Sequence, residues 1–224
     1  MTFKNVLKAL FAGMLVGLTG IEFLFVKQFD FSLNQFTASF IFPFGNTLIL
    51  VLSLLLFNGQ VARLINKDDL IKPLHLLVML LINILGVTII GLLFSILKNK
   101  NIEIIDRMVL VANNKFPDYS IKYHFNLFLK AMFCGMFIYI GGFFFRYFKN
   151  PFLKVIGIWL PVFIYVYSGF NNGITDVYYL IASNRFSFVS IIFILTAILG
   201  NASGALLLQT IRNISIKKYK QLNE

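Results

Sequence analysis

Polar positions along this chain fall in short clusters between long apolar runs. Six runs stand out: near Val6–Val26, Phe36–Ile65, Pro73–Leu97, Phe125–Phe148, Phe152–Ala182 and Phe188–Ile211. A helix needs about 20 apolar residues to cross the hydrocarbon layer. Each run therefore predicts one membrane span, and the chain predicts an all-α integral membrane protein with six transmembrane helices, one transmembrane domain over residues 1–224. Only the connection between the third and fourth runs, Lys98–Tyr123, is long; it is polar, with Pro117 and several Asn. Lys4 and Lys8 precede the first run as in a signal peptide. The run is too long for one and ends in no clear small-residue cleavage pattern, so it predicts a retained span.

Runs two and five differ from the rest. Each covers about 30 residues, which as one helix would reach about 45 Å against about 30 Å of hydrocarbon. Run two contains Pro43, Gly45 and Asn46, and later Asn58-Gly59; run five contains Pro161 and then Ser168-Gly169-Phe170-Asn171-Asn172-Gly173. These are turn residues at membrane depth. Irregular backbone is tolerated there only when it is buried in protein or lines a wet cavity. Both runs occupy the middle of a three-span half, and three spans per half make the halves inversely oriented. Paired interrupted helices in matching positions point to an inverted-repeat transport site near the midplane. The alternative is two long, tilted and kinked helices.

Composition supports lipid as the solvent: 58% of residues are hydrophobic and only 13% charged, against about 25% charged in a soluble domain. The net charge of +11 would suggest nucleic acid in a soluble protein. Here the basic residues sit in connections between spans, where they act as topology signals and attract anionic headgroups. The N-terminus, the second and fourth connections and the C-terminus hold Lys4, Lys8, Arg63, Lys67, Lys72, Arg146, Lys149, Lys154, Arg212, Lys217, Lys218 and Lys220. The opposite side holds Lys27, Lys98, Lys100, Arg107, Lys115, Lys122, Lys130 and Arg185, mostly in one long loop. The short connections thus favour a multi-pass protein of the cell membrane with both termini cytoplasmic.

Few residues carry chemistry. Asn171 and Asn172 lie in the break of run five, as amides for a polar solute or as helix caps. Asp176 follows one turn later. A carboxylate inside a span is a functional-site hypothesis by default, and near a helix N-terminus it is also favoured by the dipole. Asn58 is the matching polar residue of run two. Asn83 and Asn201 fit interhelical hydrogen bonds that satisfy backbone groups orphaned at the breaks. Cys134 is a small buried hydrophobe. The sequence holds no plausible Ser/His/Asp set, paired carboxylates, phosphate loop or metal-ligand spacing, so the expectation is a protein that is not an enzyme and needs no metal or cofactor.

With these residues in view, the chain resembles the formate/nitrite transporter family. Leu160-Pro161, then Gly169-Phe170-Asn171-Asn172-Gly173-Ile174-Thr175-Asp176, looks like that family's fifth span, Leu-Pro, a gap, then Gly-Phe-Glu-His-Ser-x-Ala-Asn. Gly200-Asn201-x-x-Gly204 is similar to its sixth-span Gly-Asn-x-x-Gly, Asn83-x-x-Gly86 to its third, and Gly45 through Leu56-Phe57-Asn58-Gly59 to its second-span loop. The resemblance implies an aquaporin-like protomer, a homopentamer with one pore per subunit, passing small monovalent anions such as formate or nitrite. It implies Phe42, Asn46, Leu56, Phe57, Tyr165 and Phe170 at constrictions. It implies Asn172, Asn171, Asn58, Asn201 and Asp176 in the pore, with Lys122 near the outer basic position. The family's histidine falls on Asn172, its glutamate on Asn171, its following Asn on Asp176, and the acidic residue of its second-span loop on Leu55. Asparagine hydrogen-bonds but does not titrate, so the resemblance carries no proton relay to position 172. The leading expectation is a channel for a small monovalent solute, foremost an anion. The alternatives are the same fold passing a neutral or cationic solute, and a non-transporting membrane subunit.

Overall fold

A computed structural model describes residues 1–29, 33–98, 105–106, 108–110, 121–184 and 186–222, apart from the side chains of 98, 121–122 and 217–222. The described residues form helices and irregular segments only. Among the described residues, four helices are long and apolar enough to cross a membrane: α1 (Phe3–Lys27), α5 (Pro73–Lys98), α6 (Ile121–Tyr147) and α9 (Phe188–Leu222). The other two crossings are broken. The first consists of α2 (Asn34–Ile41), α3 (Pro43–Val51), α4 (Phe57–Gln60) and a 3₁₀ turn, Val61–Leu64; the second of α7 (Pro151–Tyr167) and α8 (Gly173–Ser183).

The expected interruptions of runs two and five are present, but the first lies elsewhere. Phe42 keeps right-handed helical backbone, and Pro43, at the first position of α3, has no N–H to give the Ser39 carbonyl four residues back, which kinks the helix there. Asn34–Val51 is therefore one kinked helix. The break falls at 52–56, in Leu52-Ser53-Leu54-Leu55-Leu56, whereas Asn58 and Gly59 belong to α4. α7 runs through Pro161 and breaks at 168–172, as its turn residues predict. α9 continues well past Ile211.

The two breaks are built alike. At the first, Ser53 N–H donates to Leu50 O (3.0 Å) and Leu54 N–H to Ile49 O (2.8 Å); at the second, Gly169 N–H donates to Val166 O (3.0 Å) and Phe170 N–H to Tyr165 O (2.9 Å). Each pair is a Schellman cap with a left-handed residue, Ser53 at φ 53° and Gly169 at φ 71°. Extended backbone at Leu56 and Asn172 then leads into the next helix. A side chain costs about 1–2 kcal/mol in the left-handed region. Gly169→Ala is thus expected to lower thermal stability by about that amount. Ser53→Gly is expected to be neutral or slightly stabilising, read by thermal unfolding of the purified protein.

α1 packs chiefly on α5, and α6 on α9. Without a hydrophobic force between helices in lipid, such pairs depend on close approach. Both use glycine at the crossing. A Cβ on Gly13 would strike the Asn83 carbonyl and one on Gly86 the Leu10 carbonyl; in the other half Gly135 meets Asn201 and Gly204 meets Met132 in the same way. The fold is therefore an inverted repeat, α1–α5 and α6–α9, with one broken crossing in each half.

Candidate functional site

Two asparagines fix the breaks. Asn83 on α5 accepts from Phe57 N–H (2.8 Å) and donates to Leu55 O (2.9 Å) and Ala9 O (2.7 Å). Asn201 on α9 accepts from Gly173 N–H (2.9 Å) and donates to Asn171 O (2.9 Å) and Ala131 O (2.8 Å). Each amide bridges the two sides of its break and ties them to the first helix of its half. Both residues are buried. Asn201, expected both in the pore and, like Asn83, as an interhelical hydrogen-bonder, spends its amide chiefly on backbone.

The α4 and α8 ends of the breaks meet at the centre. Asn58 donates to Asn172 Oδ1 (2.9 Å) and to Asn201 Oδ1 (3.5 Å). Asn172 is the N-cap of α8, and its Oδ1 also accepts from Ile174 N–H (3.2 Å). Two carbonyl oxygens thus face the Asn58 amide nitrogen, which fixes its orientation and leaves Asn58 Oδ1 without a protein partner. Asn171 donates to Asp176 Oδ2 (3.1 Å). The family pattern sets acid before amide at these two positions; here they stand in the opposite order and bond to each other.

Two cavities flank this centre. The first, about 90 Å³, is lined by Ile49, Leu50, Leu54, Leu56, Gly59 and Gln60 of the first half, with Asn46, Ile158, Val162 and the α6 residues Ile138, Gly141, Gly142 and Arg146. The second, about 20 Å³, is lined by Tyr165, Val166, Phe170, Asn172, Thr175 and Asp176, with Phe23, Phe42 and Tyr179. The six first-half residues and the first six of the second cavity occupy equivalent positions of the two repeats, in the same order. One framework therefore makes both cavities, and the side chains make them different. Gly59 leaves open space, a Cβ there meeting nothing within 4 Å. At its counterpart, Thr175 fills that room. Ile49 and Leu56 face Tyr165 and Asn172 across the repeat axis, so one cavity is mostly apolar and the other carries hydroxyls, an amide and a carboxylate.

Of the expected constriction residues, Asn46 and Leu56 line the first cavity, and Phe42, Tyr165 and Phe170 line the second. The Tyr165 hydroxyl lies beside the amides of Asn46, from the first cavity, and Asn172, from the second, without closing a hydrogen bond to either. Its ring meets Phe42 edge-on, with centroids 6.4 Å apart. Phe170 stacks on Phe133 at 5.5 Å and also lines a third chamber of about 270 Å³, with Tyr123, Asn126, Lys130 and Asn171. Phe57 reaches its break by backbone; its side chain is buried and lines none of these three spaces. The Lys122 side chain lies outside the described residues.

Sequence reasoning passed over Thr175, Gly59, Phe23 and Tyr179. Thr175 and Gly59 carry a usable signal, since they occupy equivalent positions once the two breaks are aligned on Ser53 and Gly169. Phe23 and Tyr179 carry none, because packing between distant helices brings them in.

The formate/nitrite transporter family model matches residues 1–214. One similar solved structure is a pentameric formate channel with formate bound; it is 18% identical, with a TM-score of 0.78 over 96% of this chain and 97% of that one. Another is an FNT family ion channel, 19% identical, with a TM-score of 0.74 over 95% of this chain and 90% of that one. Comparison with curated proteins gives no match.

Proposed function

This chain belongs to the formate/nitrite transporter family, and from that premise we propose that it is a channel of the cell membrane for a small monovalent anion such as formate or nitrite. The family comprises transporters and channels, not enzymes. The observation that carries the reading is the pair of cavities at equivalent positions of the two repeats, with the Tyr165 hydroxyl of the second lying beside Asn46 of the first. Phe42, Leu56 and Phe170 supply apolar constrictions that reject a hydrated ion, while the polar centre offers hydrogen bonds to one that has shed its water. Lys130 in the outer chamber and Arg146 in the first cavity place a cation toward each mouth and raise the local anion concentration. Both termini are cytoplasmic on the distribution of Lys and Arg. The protomer assembles as a homopentamer, a reading supported by the assembly of the similar formate channel.

The test is flux into proteoliposomes. Formate and nitrite are expected to equilibrate faster than in protein-free vesicles. Absence of flux for every small anion, with Asn172→His silent as well, removes the reading.

One observation favours a second reading. Asp176 is 2% exposed and lines the smaller cavity. A carboxylate about 4 Å from a passing anion opposes it by about 4 kcal/mol at an effective dielectric of about 20, so the same pore suits a neutral or cationic solute. Asp176→Asn decides between them. On the second reading, ammonium or methylammonium flux is lost and anion flux is unchanged. On the first, anion flux persists or rises.

A further inference from the structure

The smaller cavity contains two hydroxyls that the protein leaves unused. Tyr165 is 1% exposed and Thr175 3% exposed. Both line this cavity; Thr175 Oγ1 has no hydrogen-bond partner, and Tyr165 Oη lies beside the Asn46 and Asn172 amides without closing a bond to either. A buried hydroxyl without a partner costs free energy unless something else satisfies it. Two such groups in one cavity mark a place where a visiting molecule completes the bonding. The repeat gives an independent contrast, since the equivalent positions of the other half carry Ile49 and Gly59 and offer no polar atom at all. Beside the hydroxyls lies the Asp176 carboxylate, which accepts from Asn171. The volume, about 20 Å³, exceeds the ~10–15 Å³ needed to hold one water and restricts the occupant to a group of about that size.

We propose that Tyr165 and Thr175 form a two-hydroxyl binding subsite for the oxygen end of a small oxyacid. The proposal rests on the channel reading above and deepens it. The second repeat carries the selective subsite, at positions where the first repeat carries Ile49 and Gly59. The solute class is a small acid with an oxygen able to accept two hydrogen bonds.

The experiment is the concentration dependence of formate flux in proteoliposomes for four proteins: wild type, Thr175→Val, Thr175→Ser and Tyr165→Phe. Valine keeps the volume of threonine and removes the hydroxyl, whereas serine keeps the hydroxyl and removes the methyl. Losing one neutral hydrogen bond is expected to raise the half-saturating formate concentration about three- to tenfold in Thr175→Val and in Tyr165→Phe, while Thr175→Ser stays within about twofold of wild type. A packing role predicts the reverse order, with serine impaired and valine normal. Wild-type behaviour of both the valine and phenylalanine variants, or a serine variant as impaired as the valine one, overturns the subsite. Should one variant fail to fold, the other hydroxyl deletion decides. A wild-type protein that passes no anion sinks the channel reading and the subsite together, whereas normal wild-type flux with unaffected variants sinks the subsite alone.

Discussion

Replacing Asn201 with leucine is expected to leave almost no correctly folded protein. The side chain satisfies three buried backbone groups: Gly173 N–H, Asn171 O and Ala131 O. Each buried polar group left without a partner costs about 1–3 kcal/mol, so the sum takes a large share of the ~5–15 kcal/mol that holds a typical fold together. In lipid the freed groups have no water to turn to. The same substitution at Asn83 orphans Phe57 N–H, Leu55 O and Ala9 O and is expected to cost a similar amount. The measurement is the yield of monodisperse protein in mild detergent and its unfolding temperature. Near wild-type yield and stability of both leucine variants would show that the breaks hold without their amides.

The second large effect is a loss of flux without a loss of fold. Gly59 sits in α4 on the wall of the larger cavity, and an added Cβ meets nothing within 4 Å. Gly59→Phe is therefore expected to place its ring in the cavity rather than against backbone, closing the entrance and lowering flux by more than tenfold. The added Cβ displaces no packed atom, so the unfolding temperature is expected to stay close to wild type. Gly142, on the facing helix α6, has the same open surroundings. Gly142→Leu is expected to act in the same direction.

How legible these features were varies with their physical origin. The six crossings follow from the length and hydropathy of the runs, which lipid dictates directly. The second break was legible because Gly169 supplies the left-handed position and Asn172 the cap, both turn residues by type. The first break was misplaced toward Asn58-Gly59. Its left-handed residue is Ser53 and its cap position is Leu56, neither of which is turn chemistry, and it is held open by Asn83, which lies a whole span away. Asn201 was read both as a pore residue and as a packing residue, because an amide in a span serves either purpose until its partners are known. The cavities were not legible at all. They arise where two copies of one framework meet, and only the equivalence of Gly59 with Thr175 and of Ile49 with Tyr165 shows why one is roomy and the other polar.

The proposed route takes a small anion through the two equivalent cavities. Initial rates of formate entry into proteoliposomes, for wild type beside Gly59→Phe at equal protein content, test it most directly. The expected result is fast entry with wild type and a rate near that of protein-free vesicles with the variant. Wild-type vesicles as tight as empty ones, or a folded Gly59→Phe protein that conducts as well as wild type, would contradict it.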